Sequence, residues 1–254
     1  MKIAITRAIS PRFAECELTH LERVPIDLSL AQAQHQAYEA ALRRLGIQVI
    51  SLPAEPDLPD SVFVEDAAIV LPECAIITRP GADSRRPETD SIARALAPYR
   101  ALHTIQPPAT LDGGDVLVLG KTIYVGISTR SKPEAVAQMR DFLRPYGYTV
   151  TSVPVHGCLH LKSAVTQVGP KTLLLNPNWV SPDHFPGWQV IEVHPDEPAA
   201  ANAVLISDTI IYPRHYPKTQ QRLQAAGIHI EVVDATEVAK AEGAVTCCSL
   251  LFEA

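Results

Sequence analysis

Residues 228–252 read IHIEVVDATEVAKAEGAVTCCSLLF. A strand, Ile228–Val233, opens the stretch, and a second short buried strand, Val245–Phe252, ends it, interrupted by two thiols. Between them lies a polar island, Ala244–Ser249, AVTCCS. Elsewhere in the chain such an island is followed by two apolar strands in a hairpin. Here only one follows, Cys248–Phe252, and its missing partner is at the other end of the chain, Lys2–Thr6, KIAIT. Pairing the two termini closes a ring and removes two open sheet edges at once.

Working outward, the same unit recurs. Helix Ser29–Leu45 stops at Gly46 and leads into strand Ile47–Leu52. Helix Pro87–Ala97 leads into Ala101–Ile105. Helix Ser131–Tyr146 opens with Ser131 and Glu134 at capping-box spacing, stops at Gly147 and leads into Tyr148–Val153. The fourth helix is reduced to a turn near Pro182–Phe185 before Trp188–Val193. The fifth, Pro217–Ala226, stops at Gly227 before Ile228–Val233. Each strand is followed by a polar island and then a hairpin. The hairpins are Ala67–Leu71 with Ala75–Thr78, Val116–Leu119 with Thr122–Gly126, Ala164–Val168 with Thr172–Asn176, and Ala203–Ile206 with Thr209–Tyr212. A period of roughly 40–50 residues is that of propeller-like arrays. The expected fold is α/β: a five-bladed α/β propeller of ββαβ-type repeats with pseudo-fivefold symmetry, one domain over residues 1–254. An open doubly wound sheet fits less well, because no Gly-rich phosphate loop follows the first strand.

Composition sets further limits. The 254 residues are 46% hydrophobic and 20% charged, ordinary for a globular chain with a sizeable core. No apolar run reaches the length of a membrane span, and residues 1–10 show no signal-peptide pattern. Five cysteines, Cys16, Cys74, Cys158, Cys247 and Cys248, fit neither a zinc motif nor a disulfide framework, so a reducing cytoplasm is expected. A net charge of −6 without basic runs argues against nucleic acid.

In a ring of five units the polar islands converge on the axis. They bring Glu65-Asp66, Asp112-Gly113-Gly114-Asp115, His160-Leu161-Lys162 and Cys247 together, while unit four contributes Ala201-Asn202, which reads as structural. Cys247 with His160 is a nucleophile with a proton carrier. Buried carboxylates call for a cation. One histidine with scattered acids gives no metal-ligand spacing, whereas a planar guanidinium offers forked donors that carboxylates accept. Asp115, and with it Asp60, reads as loop capping. Arg85 and Arg130, on loops after hairpins, read as solvated surface charge or as a clamp for a carboxylate. Gly113 and Gly114 are expected in backbone conformations that a Cβ would disfavour. Strand alternation would turn Cys247 and Cys248 to opposite faces. The nearby acids should keep Cys247 protonated until a cation binds.

The segments LPDSVFVEDAAIV, AIITRPGADSRR, ATLDGGDVL, LHLKSA and TCCSLL, in this order, resemble the dimethylarginine dimethylaminohydrolase family of the guanidino-group-modifying (pentein) superfamily. The resemblance runs from Lys2 to Phe252. It implies the five-bladed propeller and hydrolysis of N-methylated arginine to citrulline and dimethylamine or methylamine, without cofactor or metal, through a covalent thiouronium. It further implies Cys247 as nucleophile, His160 as general acid/base and Asp112 as their acidic partner, where some members carry the longer Glu. Asp66 with Glu65 would bind the guanidinium beside Phe63. Arg85 and Arg130 would hold the substrate carboxylate and Asp60 would lie near the α-amino group, with backbone carbonyls of Leu18 and Ala241 completing the pocket. The implied partner is a small methylated arginine, the assembly a monomer or homodimer. Cys16, Cys74 and Cys158 read as structural. Two alternatives stand beside this. One is an arginine deiminase-type enzyme, which usually runs longer with an inserted helical module. The other is a non-catalytic binder of cationic amino acids, whose mark would be loss of Cys247 or His160.

Overall fold

The computed structural model describes residues Met1–Ala254. Strands β1 (Lys2–Arg7), β2 (Gln48–Leu52), β3 (Ala68–Val70), β4 (Cys74–Ile77) and β5 (Ala101–Thr104) come first. Next are β6 (Val116–Leu119), β7 (Thr122–Ile127), β8 (Thr149–Pro154), β9 (Val165–Gly169) and β10 (Thr172–Leu175). Last are β11 (Gln189–Glu192), β12 (Val204–Ile206), β13 (Thr209–Pro213), β14 (His229–Val233) and β15 (Leu250–Glu253). They form five three-stranded sheets, β15-β1-β2, β3-β4-β5, β6-β7-β8, β9-β10-β11 and β12-β13-β14. All five are wired alike: the middle strand runs antiparallel to its hairpin partner and parallel to the strand that returns after the crossover. The ring closes through the termini, with Lys2 opposite Glu253 and Ile5 opposite Leu250.

Burial follows this wiring. The middle strands read as continuous apolar runs, such as CAII in β4, buried throughout, because sheet and helix cover both faces. The returning strands lie at the rim and are mostly open, as in β5. The crossovers carry helices α1 (Leu28–Arg44), α2 (Glu88–Leu96) and α3 (Pro133–Leu143). After a one-turn helix α4 (Leu161–Ala164) come α5 (Pro217–Ala225) and another one-turn helix, α6 (Thr236–Ala239). Asp27 caps α1 by accepting the Leu30 N–H at 3.0 Å, and Gly46 leaves it at φ 81°. The capping box expected at Ser131 and Glu134 does not form, since α3 starts at Pro133 without a side-chain cap. The Ser131 hydroxyl instead accepts the backbone N–H of Asp112 at 3.1 Å. The N-cap is Lys132, so Ser131 stands one residue too early to cap the helix.

The five inner strands, β3, β6, β9, β12 and β15, surround a channel along the axis. Each is preceded by a tight turn: 3-10 helices at Val64–Ala67 and Gly113–Asp115, α4, and turns at 198–201 and 245–248. The expectation of a strand from Val245 is therefore corrected. Residues 245–248 are a turn, closed by Ser249 N–H to the Thr246 carbonyl, and the strand begins at Leu250. In all five units the polar island is the turn that delivers the chain to the axis.

Candidate active site

Above the channel, at the turn end of the inner strands, lies a small pocket. Asp60, Phe63, Asp66, Arg85, Arg130, His160, Ala241 and Cys247 line it, which unites segments more than 180 residues apart. Asp112 stands directly behind. Its Oδ2 lies 3.1 Å from His160 Nε2, so the aspartate reaches the imidazole without the extra methylene of a glutamate. Its Oδ1 accepts the Gly81 N–H at 2.8 Å. On the other edge of the ring, His160 Nδ1 lies 3.9 Å from Asp66 Oδ1. Asp115 secures the turn beneath, accepting the Leu161 N–H at 2.9 Å and the Ser128 hydroxyl at 2.6 Å. That is the capping role expected of it.

The two glycines of the LDGGD turn are needed for a reason other than the expected one. Neither has a positive φ. A Cβ on Gly113 would fall 1.9 Å from the Glu65 carbonyl oxygen, and one on Gly114 would fall 2.5 Å from His160 Nδ1. Close approach between two turns, not a left-handed backbone, excludes a side chain here.

Charge in the pocket is arranged around the imidazole. Burial opposes the charged form of His160, but Asp66, Asp115 and Asp112 outweigh it and push the group up to about 9. Burial likewise opposes the charged form of Asp66, yet His160, Arg85 and the Gly114 N–H bring it down to about 2. The Cys247 thiol is driven well above the usual range by burial and by the carboxylates of Glu65 and Asp66. The pocket thus holds a protonated thiol beside an imidazolium and the ionised carboxylate of Asp66. Asp66, Asp112 and His160 place potential metal-ligating atoms within 4.8 Å of one another. Those atoms already have partners: Gly114 N–H and Arg85 on Asp66, Gly81 N–H and His160 on Asp112.

Three expectations need revision. Arg85 is not surface charge. It is 4% exposed, and its guanidinium meets Asp66 Oδ2 at 2.7 Å and Glu88 Oε2 at 2.9 Å. Its Nε, Nη1 and Nη2 all donate to these two carboxylates, and it lines the pocket beside Asp66. Arg130 is also buried, but its Nη1 has no partner, while Nη2 donates to Thr19 Oγ1 at 2.9 Å. Glu65 does not line the pocket. Its Oε1 pairs with Lys162 Nζ at 2.5 Å and its Oε2 accepts the Thr246 hydroxyl at 2.8 Å, facing the axial channel.

Leu18 likewise stands outside the pocket wall, on the segment covering it, with Glu17 as the lining residue. The Glu17 N–H donates to Asp60 Oδ2 at 3.0 Å. Cys248 is 4% exposed and packs in the core cluster beneath α1 with Tyr38 and Leu42. The two thiols diverge as expected, but through the turn and not through strand alternation. Asn202 ties the turns of units three and five, donating to the Lys162 carbonyl at 2.9 Å and to Thr246 Oγ1 at 3.0 Å. Glu17, Leu159, Glu242 and Gly243 line the pocket without having been singled out in the sequence. Glu17 and Glu242 adjoin Leu18 and Ala241, so adjacency was the available signal.

The family model described as N,N dimethylarginine dimethylhydrolase, eukaryotic, matches residues 21–183. The N(G),N(G)-dimethylarginine dimethylaminohydrolase of Streptomyces coelicolor is 41% identical over 251 residues, covering 98% of this chain and 96% of the relative. The enzyme of that name from Pseudomonas aeruginosa is 35% identical over 228 residues, covering 89% and 90%. A solved structure of the Pseudomonas aeruginosa enzyme, a cysteine-to-serine mutant complexed with citrulline, superposes with a TM-score of 0.94 at 33% identity, covering 98% of both chains. Fold and site define a five-bladed α/β propeller of the pentein class with a thiol and an imidazolium at its axis. The chain belongs to the dimethylarginine dimethylaminohydrolase family.

Proposed function

We propose that this protein hydrolyses N-omega-methylated arginine to citrulline and dimethylamine or methylamine, and that residues 1–254 form one catalytic domain. The observation that carries the reading is the set of Cys247, His160 and Asp66 on one small pocket, with Asp112 behind the imidazole. Asp66 receives the guanidinium and orients its carbon toward Cys247 Sγ, an effect of position. The arriving cation offsets the acids that keep the thiol protonated, so the thiol ionises with its proton released to solvent, His160 being already charged. The thiolate attacks the guanidinium carbon. His160, charged and held by Asp112, donates a proton as the C–N bond to the amine breaks. The now neutral imidazole takes a proton from water as that water attacks the thiouronium carbon, and the C–S bond then breaks. At the far end, the unpartnered Nη1 of buried Arg130 is the donor for the substrate carboxylate, and Asp60 is the acceptor for the α-amino group. The backbone carbonyls of Leu18 and Ala241 are assigned to the same end, and Phe63 to the apolar wall.

No helix is long and apolar enough to cross a membrane. The five unpaired cysteines support a reducing, cytoplasmic setting. Whether the chain acts as monomer or homodimer does not alter the site, which lies within one chain.

The test is citrulline release from N,N-dimethylarginine by exhaustively chelated protein. Cys247→Ser should lose turnover by roughly a thousandfold or more, because an alcohol is a far weaker nucleophile here. Cys248→Ser should keep turnover and lose about 1 kcal/mol or more of stability by burying a hydroxyl. Activity that returns only with a divalent ion, or an inactive but folded Cys248→Ser beside an active Cys247→Ser, would defeat the assignment.

A further inference from the structure

The segment 17–27, called the lid below, leaves the pocket wall at Glu17, bonds Arg130 and Glu242, which also line the pocket, and is mostly exposed. Its ends are tied down by Asp60 at Glu17 and by Glu237 at Asp27, while the backbone of its middle, Thr19–Leu21, is held by one side chain. The backbone N–H groups of Thr19, His20 and Leu21 all donate to the carboxylate of Glu242, at 3.0, 2.5 and 2.6 Å. Successive amides pointing one way form a concave anion seat, and here the anion is supplied by the protein itself.

Glu242 occupies this place against its backbone preference. Its φ is +57°, in the left-handed region that residues with a Cβ enter only at a cost. The residues on either side of it are part of the pocket wall. Ala241 lines the pocket, and Gly243 lies so close to Phe63 that a Cβ would stand 2.2 Å from its ring. The lid also touches Arg130 through Thr19. Glycine at position 242 would fit the backbone better, so the carboxylate is the feature that explains a glutamate there.

We infer that Glu242 is a positioning residue: its carboxylate latches the lid amides of Thr19–Leu21 and so holds the covering segment over the pocket, in register with the Ala241–Gly243 wall. The kinetic half of this inference rests on the function proposed above, while the latch itself does not. Two variants test it. In Glu242→Gly the backbone strain is relieved and the anion is lost. In Glu242→Gln the shape is kept and the charge is lost. Amide hydrogen exchange at Thr19, His20 and Leu21, measured on substrate-free protein, should speed up by roughly tenfold or more in Glu242→Gly and less in Glu242→Gln, since charge-assisted bonds are the stronger ones. The melting temperature of Glu242→Gly should not fall, because glycine accepts this φ freely. KM for N,N-dimethylarginine should rise by roughly tenfold with kcat nearly unchanged, as expected when an interaction serving ground and transition state alike is lost.

A merely structural glutamate would lower the melting temperature and leave the KM-to-kcat split unmoved. Unchanged exchange at the three amides in both variants would overturn the latch. Faster exchange with unchanged KM would overturn the positioning role. Because exchange is read without substrate, a wild-type protein inactive on N,N-dimethylarginine would refute the proposed reaction, and the exchange result would still decide the latch.

Discussion

Glu65 and Asp66 are neighbours in the chain, sit on the same turn of 3-10 helix and face opposite ends of the axis. Asp66 looks into the catalytic pocket, between Arg85 and His160. Glu65 looks into the channel, between Lys162 and Thr246. Their electrostatics differ accordingly. Burial raises Glu65 in spite of Lys162, whereas His160 and Arg85 overcome burial at Asp66 and hold it near 2. One turn of backbone therefore separates two compartments. In the upper one a carboxylate is kept ionised next to a nucleophile. In the lower one an ion pair closes the floor. Identical chemistry at adjacent positions acquires different roles from which side of the axis it meets.

The strongest way to break this comparison is to neutralise each acid in turn. Asp66→Asn should lower kcat/KM for N,N-dimethylarginine by roughly a thousandfold, because the guanidinium loses its aligning charge and His160 loses a neighbour that keeps it protonated. Glu65→Gln should stay within a few-fold of wild type and lower stability by about 1–3 kcal/mol as Lys162 loses its partner. Equal losses of activity in the two variants would show that the floor takes part in the reaction.

The arginines sharpen the same contrast. Arg85→Ala leaves Asp66 and Glu88 buried without their cation, and stability should fall by about 3–5 kcal/mol, read as a shift in the urea midpoint. Arg130→Ala removes the one pocket-lining arginine that keeps a buried nitrogen without a partner. Its KM should rise by roughly tenfold to a hundredfold while stability changes little, and the rise should vanish on an analogue without the α-carboxylate. An Arg85→Ala protein as stable as wild type, with only KM affected, would return Arg85 to the role of clamp.

The smallest effect is a pH dependence of stability. His160 lies at about 9 in the folded protein, above its ordinary value near 6.5, so the fold binds its proton more tightly than the unfolded chain does. The contribution is fully present below the ordinary value and is lost as the pH rises through about 9. Urea midpoints between pH 6.5 and 9.5 should therefore decline in wild type and in Glu65→Gln, and decline less in Asp66→Asn. The same decline in His160→Gln would assign the loss to another group.

The five-unit pattern, the closing of the ring by KIAIT and CSLLF, and the convergence of the polar islands were all readable from the sequence. These follow from local rules: apolar periodicity, helix stops such as Gly46, Gly147 and Gly227, and the need to pair an edge strand. Much of the pocket lining was readable too, because four of the five islands carry charged or thiol side chains, whereas Glu17, Leu159, Glu242 and Gly243 were not. Tertiary structure alone decided which way each of them faces. Arg85 is spent on Glu88 and Asp66, Glu65 is turned to Lys162 across 97 positions of sequence, and Gly114 is pressed against His160. Ser131 caps Asp112 and not its own helix, and Glu242 reaches a lid more than 220 residues away. Glu65–Lys162 and Gly114–His160 join different blades and Glu242 and its lid come from opposite ends of the chain, so these contacts are fixed only when five units pack around one axis; the Arg85 and Ser131 contacts lie within one blade but depend on how its turn folds.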